Sequence, residues 1–172
     1  KSTEYEITIL ATNIANFGGI GEWSFSALLE SEEESILFDT GFDENTVLHN
    51  ANLLKKDLSK VEKVILSHFH GDHTGGLIKL RKTYMNSNPE AFSEVYVADG
   101  FFDQRFDEHG ELRGFIGGFN KVSDFKEKAE NLGINFIVID EAYELAPNLV
   151  LSGPVERIFE RVVVSPGFYL KE

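Results

Sequence analysis

No cysteine occurs in the 172-residue chain, which excludes disulfides and zinc–thiolate sites and says little about compartment. Proline is scarce, with four in all, and there is no Pro-rich linker, internal repeat or low-complexity tract. No apolar run approaches the roughly 20 residues that a membrane span needs, so no membrane association is expected. No segment reads as a secretory leader, although one already removed would leave no trace, and the cytoplasm is the default expectation. Basic residues are few: 16 Lys and Arg stand against 29 Asp and Glu, a net charge of −13. That balance argues against extended contact with a nucleic-acid backbone. The only basic clusters are Lys55-Lys56, and Lys79 with Arg81-Lys82; the latter read as the solvated face of a helix.

What is present is enough for a packed core. Hydrophobic residues make up 42% of the chain, with 15 Phe, and one domain over residues 1–172 is the natural reading. Tyr5–Thr12 alternates as a first strand. Phe25–Glu30 and Ser35–Asp39 form a hairpin around an acidic, solvated tip at Glu32-Glu33-Glu34. Asp43 is placed to cap a helix to Leu54, with Val47, Leu48, Ala51 and Leu54 on one face. Val61–Ser67 reads as a buried strand and Thr74–Met85 as a helix. Val95–Ala98, Ile134–Ile139 and Leu149–Ser152 read as strands. Ser123 opens a helix that Gly133 ends. The order is α/β. Between Phe101 and Phe119 the texture is too Gly-rich for a helix and too irregular for a strand. It is either a surface loop pinned by its aromatics or a wall over a pocket, in which Phe17, Trp23, Phe101 and Phe115 are the candidate lining residues.

Ser67-His68-Phe69-His70-Gly71-Asp72-His73 follows directly on the apolar run Val64-Ile65-Leu66 and holds three of the five histidines. Neutral imidazole is the commonest ligand for zinc and suits iron and copper too. A strand running into a polar, Gly-containing loop is where α/β proteins place their chemistry. His68 and His70 can turn the same way, while Asp72 and His73, beyond Gly71, face a second position. Two such pairs suit two adjacent metals. A His-rich surface loop is the bland alternative.

Ser-His-x-His-x-Asp-His-Thr-Gly-Gly-Leu resembles the metal-binding signature of the metallo-β-lactamase-fold superfamily. Ile36-Leu37-Phe38-Asp39-Thr40-Gly41 is similar to its earlier strand-plus-Asp-Thr-Gly element, with Asp39 lying 29 residues before His68. Gly21–Glu30, Asn50-Ala51, Asp57-Leu58-Ser59 and Leu151-Ser152-Gly153-Pro154-Val155 resemble a subgroup of metal-dependent hydrolases related to archaeal dihydropterin-ribofuranosyl-aminobenzene-phosphate synthases. The resemblance implies an αββα sandwich. It implies one metal on His68 and His70 and a second on Asp72 and His73. Asp72 would also hold or relay a proton, and Asp39 would orient the loop from beneath instead of binding metal. By itself, Asp39 before Gly41 is also turn chemistry. The metals are expected to be zinc, with iron or manganese as alternatives, and the partner a small-molecule substrate. Acidity does not exclude an anionic one, since two divalent ions would dominate the local field.

The resemblance is incomplete. The superfamily's downstream half supplies further His and Asp ligands. After His73 this chain has only His109, in a charged, Gly-broken segment that reads as an exposed loop. The chain is therefore expected to cover mainly the N-terminal half of the fold and to be incomplete at its C-terminus. An uncovered sheet face and homo-oligomerisation would follow. Three functions compete: a metal-dependent hydrolase of esters, lactones or phosphoesters, an iron-dependent redox enzyme of the same fold, and a non-catalytic or regulatory relative.

Overall fold

The structure, a computed structural model, describes residues 4–113 and 116–153. Its frame is a six-stranded sheet in the order β1 (Glu6–Ala11), β2 (Ser26–Glu30), β3 (Ser35–Phe38), β4 (Lys63–Ile65), β5 (Glu94–Ala98) and β8 (Asn135–Ile139). The first three strands are antiparallel, and β3, β4, β5 and β8 run parallel. Parallel neighbours need crossovers. These carry α1 (Thr46–Leu53), then α2 (Gly71–Thr74) with α3 (Leu77–Tyr84), and α4 (Val122–Glu130). No helix among the described residues is long and apolar enough to cross a membrane.

The strand alternation feeds two apolar layers. Leu28, Leu37, Val64, Val95 and Val97 pack with Val47 and Ala51 of α1, Leu77 and Leu80 of α3, and Phe125 and Ala129 of α4. On the opposite face Ile36, Ile65, Tyr96 and Ile139 meet Leu145 and Ala146. Those two belong to a hairpin of β9 (Tyr143–Ala146) and β10 (Leu149–Leu151), turned at Asn148 with φ +65°. Asn tolerates that left-handed conformation better than most residues.

Four local expectations are corrected. The helix expected over Thr74–Met85 is interrupted at Gly75-Gly76, because the Gly75 N–H turns to the Gly41 carbonyl at 2.9 Å. Neither helix is capped as expected. Asp43, three residues before α1 begins, accepts from the Asn45 N–H at 2.9 Å, and α4 starts at Val122 after Lys121 with no side-chain cap. Arg81 is not solvated: it is buried and donates to the carbonyls of Pro89, Ala91 and Leu132. The Phe101–Phe119 segment is not strandless, since β6 (Arg105–Phe106) pairs with β7 (Leu112–Arg113) in a short ribbon. Phe115, Pro154 and Val155 lie outside the described residues.

Candidate metal centre

The paired strands β3 and β4 end together at Phe38 and Ile65. The segments leaving them, Asp39-Thr40-Gly41 and Leu66–His70, emerge side by side at the carboxyl edge of the parallel sheet, where open α/β folds place their sites. Asp39 takes the left-handed conformation, φ +55°, and its N–H donates to the Ile65 carbonyl at 2.8 Å. This turn aims the buried carboxylate under the His loop. Its oxygens accept from the Ser67 N–H at 2.8 Å and the Ser67 hydroxyl at 2.7 Å. Its Oδ2 lies 2.7 Å from His73 Nδ1.

With Nδ1 so engaged, His73 turns Nε2 outward, 3.5 Å from Asp72 Oδ2. His68 Nε2 lies 3.1 Å from His70 Nδ1. Two ligands on one tetrahedral zinc at 2.0–2.1 Å stand about 3.3 Å apart. Both pairs are close to that separation, so the donor set fits a metal. Donor atoms of His68, Asp72 and His73 also lie within 4.8 Å of one another. Burial, reinforced by the neighbouring His73 and His70, pushes the His68 imidazole down to about 4. His70 is lowered too, chiefly by burial. Both are thus held in the neutral form that ligates. Burial raises the Asp39 carboxyl, against the hydrogen bonds from Ser67 and His73.

Backbone contacts lock α2, which carries Asp72 and His73. Thr40 donates its N–H and its hydroxyl to the His73 carbonyl, at 2.7 and 3.0 Å, and the Phe25 N–H reaches the Asp72 carbonyl at 3.3 Å. Thr74 donates to the His70 carbonyl at 2.9 Å and accepts from the Gly117 N–H at 2.7 Å. The Arg105 guanidinium lies 3.9 Å from the ring centre of Phe69, inside the loop. Sequence reading singled out none of Ser67, Thr40, Thr74 or Arg105 for a role. Ser67, Thr40 and Thr74 stand inside the motifs and are findable there. Arg105 carries no local signal.

A model of the metallo-beta-lactamase superfamily matches residues 24–155. The chain belongs to that superfamily. It is 30% identical over 163 residues to the 7,8-dihydropterin-6-methyl-4-(beta-D-ribofuranosyl)-aminobenzene-5'-phosphate synthase of Methanocaldococcus jannaschii, covering 91% of this chain and 52% of that protein. It is 35% identical over 114 residues to the ribonuclease Z of Thermococcus onnurineus, covering 57% of this chain and 35% of that one. The crystal structure of a metal-dependent hydrolase of the beta-lactamase superfamily superposes with a TM-score of 0.66 at 25% identity, over 98% of this chain and 55% of that one. The chain spans about half the length of curated relatives it matches, 52% of the synthase and 55% of a second protein from the same organism.

Within this superfamily frame the structure brings His68, His70, Asp72, His73 and Asp39 together. The other candidates are scattered. Phe17 is fully exposed at 100% and Trp23 stands 78% exposed, whereas Phe101 is 5% exposed and packs in the core beside Phe102. His109 sits at the exposed turn of the β6–β7 ribbon, 3.7 Å from Glu108, apart from the metal-capable group.

Proposed function

We propose that this chain supplies the His-loop half of a metal-dependent hydrolase acting on an ester, lactone or phosphoester small molecule. The observation that carries the reading is the pair of donor separations, 3.1 and 3.5 Å, backed by the Asp39 carboxylate. In this reading His68 and His70 hold one divalent ion and Asp72 and His73 a second. Zinc is the first choice, and iron and manganese suit the same donors. When bound, such ions supply a hydroxide nucleophile near neutral pH and polarise the group under attack. The protein's own part is positional. Asp39 fixes the His73 ring, and Asp72, whose carboxylate is partly exposed, orients the attacking water and carries its proton. The likeness to the archaeal synthase, whose name carries a 5'-phosphate, supports a phosphate-bearing small molecule as the substrate.

Two protein ligands per metal leave most of each coordination sphere open, whereas catalytic zinc usually has three. Residues beyond these 172 are therefore proposed to complete the site. Zinc titration of the chain tests the reading. Binding should be lost in His68→Ala and His70→Ala with the far-ultraviolet circular dichroism unchanged. A protein extended past Glu172 should bind more tightly and hydrolyse generic phosphodiester or lactone substrates. Failure of both proteins to bind zinc, manganese or iron would overturn the proposal.

A further inference from the structure

Outside the donor set, one carboxylate accepts four hydrogen bonds, and nothing so far uses it. Glu22 Oε1 accepts from the Phe42 N–H at 2.7 Å and the Ser24 hydroxyl at 2.7 Å. Its Oε2 accepts from the Asp43 N–H at 3.0 Å and the Thr46 hydroxyl at 2.9 Å. The half-buried side chain thus closes the turn at residues 41–43 from a loop some twenty residues earlier. Gly41 passes it at φ +77°, where a Cβ would lie 2.9 Å from Glu22 Oε1.

The far side of that turn supports the metal helix. The Gly41 carbonyl accepts the Gly75 N–H at 2.9 Å. A Cβ on Gly75 would lie 1.9 Å from the Phe42 carbonyl oxygen, and one on Gly76 would lie 2.3 Å from that of Thr40. The backbones therefore touch with no side chain between them, and any shift of the turn is passed to α2. Resting on the reading of the metal centre given above, we propose that Glu22 is a positioning residue of that centre. It holds the 41–43 turn as the support on which Asp72 and His73 are aimed.

The chemistry selects a carboxylate. Each oxygen faces a backbone N–H, which can only donate. Glutamine offers one acceptor, so Glu22→Gln sets its NH2 group against one of those two N–H groups. Aspartate keeps both acceptors on a stem one methylene shorter.

Amide hydrogen exchange in the metal-free protein reads the support directly, and cobalt(II) titration followed by visible absorption reads the donors. In Glu22→Gln the Thr40 and Gly75 amides should exchange about 10-fold faster, while Phe92, bonded to the Val61 carbonyl at the other end of the sheet, is unchanged. Cobalt affinity should fall about 10-fold, at the lower end of what losing a ligand's supporting partner costs. Glu22→Asp should lie between. Leu145→Ala, on the opposite sheet face, controls for general loosening and should leave the Thr40 and Gly75 amides at the wild-type rate. Wild-type exchange in Glu22→Gln, or the same pattern in Leu145→Ala, would overturn the assignment. A wild-type chain that binds no cobalt would instead sink the metal-centre reading, and the exchange measurement would still decide the role of Glu22.

Discussion

On the helix side of the sheet, Leu28, Leu37, Val64 and Val95 have no exposed surface beneath α1, α3 and α4. On the other side, the β9–β10 hairpin covers Ile36, Ile65 and Tyr96, but Ile7 and Ile9 of the edge strand remain 62% and 45% exposed. Both faces come from the same alternation of apolar residues, so pattern alone does not explain the difference. The helix side is closed by crossovers between neighbouring parallel strands, which the connectivity of this stretch supplies. The other side needs cover from elements outside that connectivity. The contacts under the metal loop, from Asp39, Thr40, Gly75 and Thr74, run to the helix-bearing crossover segments. Aiming of the donors should therefore depend on the closed face and be indifferent to the open one.

The largest effect is expected at Phe125. It has no exposed surface, packs edge-on toward Phe119, and leaves no room for a Cβ on Gly117, which would lie 2.4 Å from its ring. Phe125→Ala should cost about 3–5 kcal/mol in urea unfolding and disturb the Gly117–Thr74 contact under the metal helix. A loss below about 1 kcal/mol would mean that the helix layer is not what closes this face.

Asp39→Asn comes next. The amide keeps the size of the carboxylate, so the fold should persist. The charge behind His73 and the second acceptor for Ser67 are lost, and metal affinity should fall roughly 10–100-fold. Unchanged affinity would leave Asp39 as a turn residue, held in its left-handed conformation for local reasons.

A smaller effect is expected from pH in the metal-free protein. Folded His68 takes up a proton only near 4, against an ordinary 6.5 in the unfolded chain. Between those values the unfolded state holds more protons. Stability should fall as pH drops from about 6.5 towards 4, with no contribution from this group above 6.5. The lowered His70 acts in the same direction. The raised Asp39 acts oppositely from its ordinary 3.8 upward. The difference between wild type and His68→Asn in urea midpoint, measured at pH 7.5 and 5, isolates the His68 contribution. Parallel profiles would show that burial of this imidazole has no energetic consequence.

Much of this was legible in advance because it is carried by short-range pattern. The strand at Val64-Ile65 running into three imidazoles is visible without a structure, and so are the apolar alternations of β1, β2, β3, β5 and β8. What escaped depends on partners distant in the chain. Gly75-Gly76 looks like a weak spot in a helix until the carbonyls of Thr40 and Phe42 are found against it. Asp43 looks like a cap until Glu22, from the other side of a hairpin, is found holding the turn. Arg81 looks solvated because its three carbonyl partners lie 8 to 51 residues away. Phe101 and Phe17 are indistinguishable as letters, yet one is buried in the core and the other fully exposed. β9 is four residues long, with its first two exposed and its last two buried, so it carries no alternation to register.

The smallest effect on stability, and the sharpest contrast with Phe125, is expected at the open edge. Ile7 pairs with Leu29 and Ile9 with Ala27, so both occupy non-terminal places in an antiparallel ladder that any β-branched residue satisfies. Threonine keeps the branch and the strand preference while replacing a methyl-bearing arm by a hydroxyl that water can reach. The double variant Ile7→Thr, Ile9→Thr should unfold within about 0.5 kcal/mol of wild type, as surface changes usually do. Its association should change more. An apolar face beside a strand edge that is unpaired among the described residues favours contact between copies. Sedimentation velocity of the 172-residue chain should show concentration-dependent self-association that the double variant weakens, with cobalt affinity the same in both. A monomeric wild type would mean that the open face is already covered. A loss of cobalt affinity in the variant would mean that the metal loop depends on the open face after all.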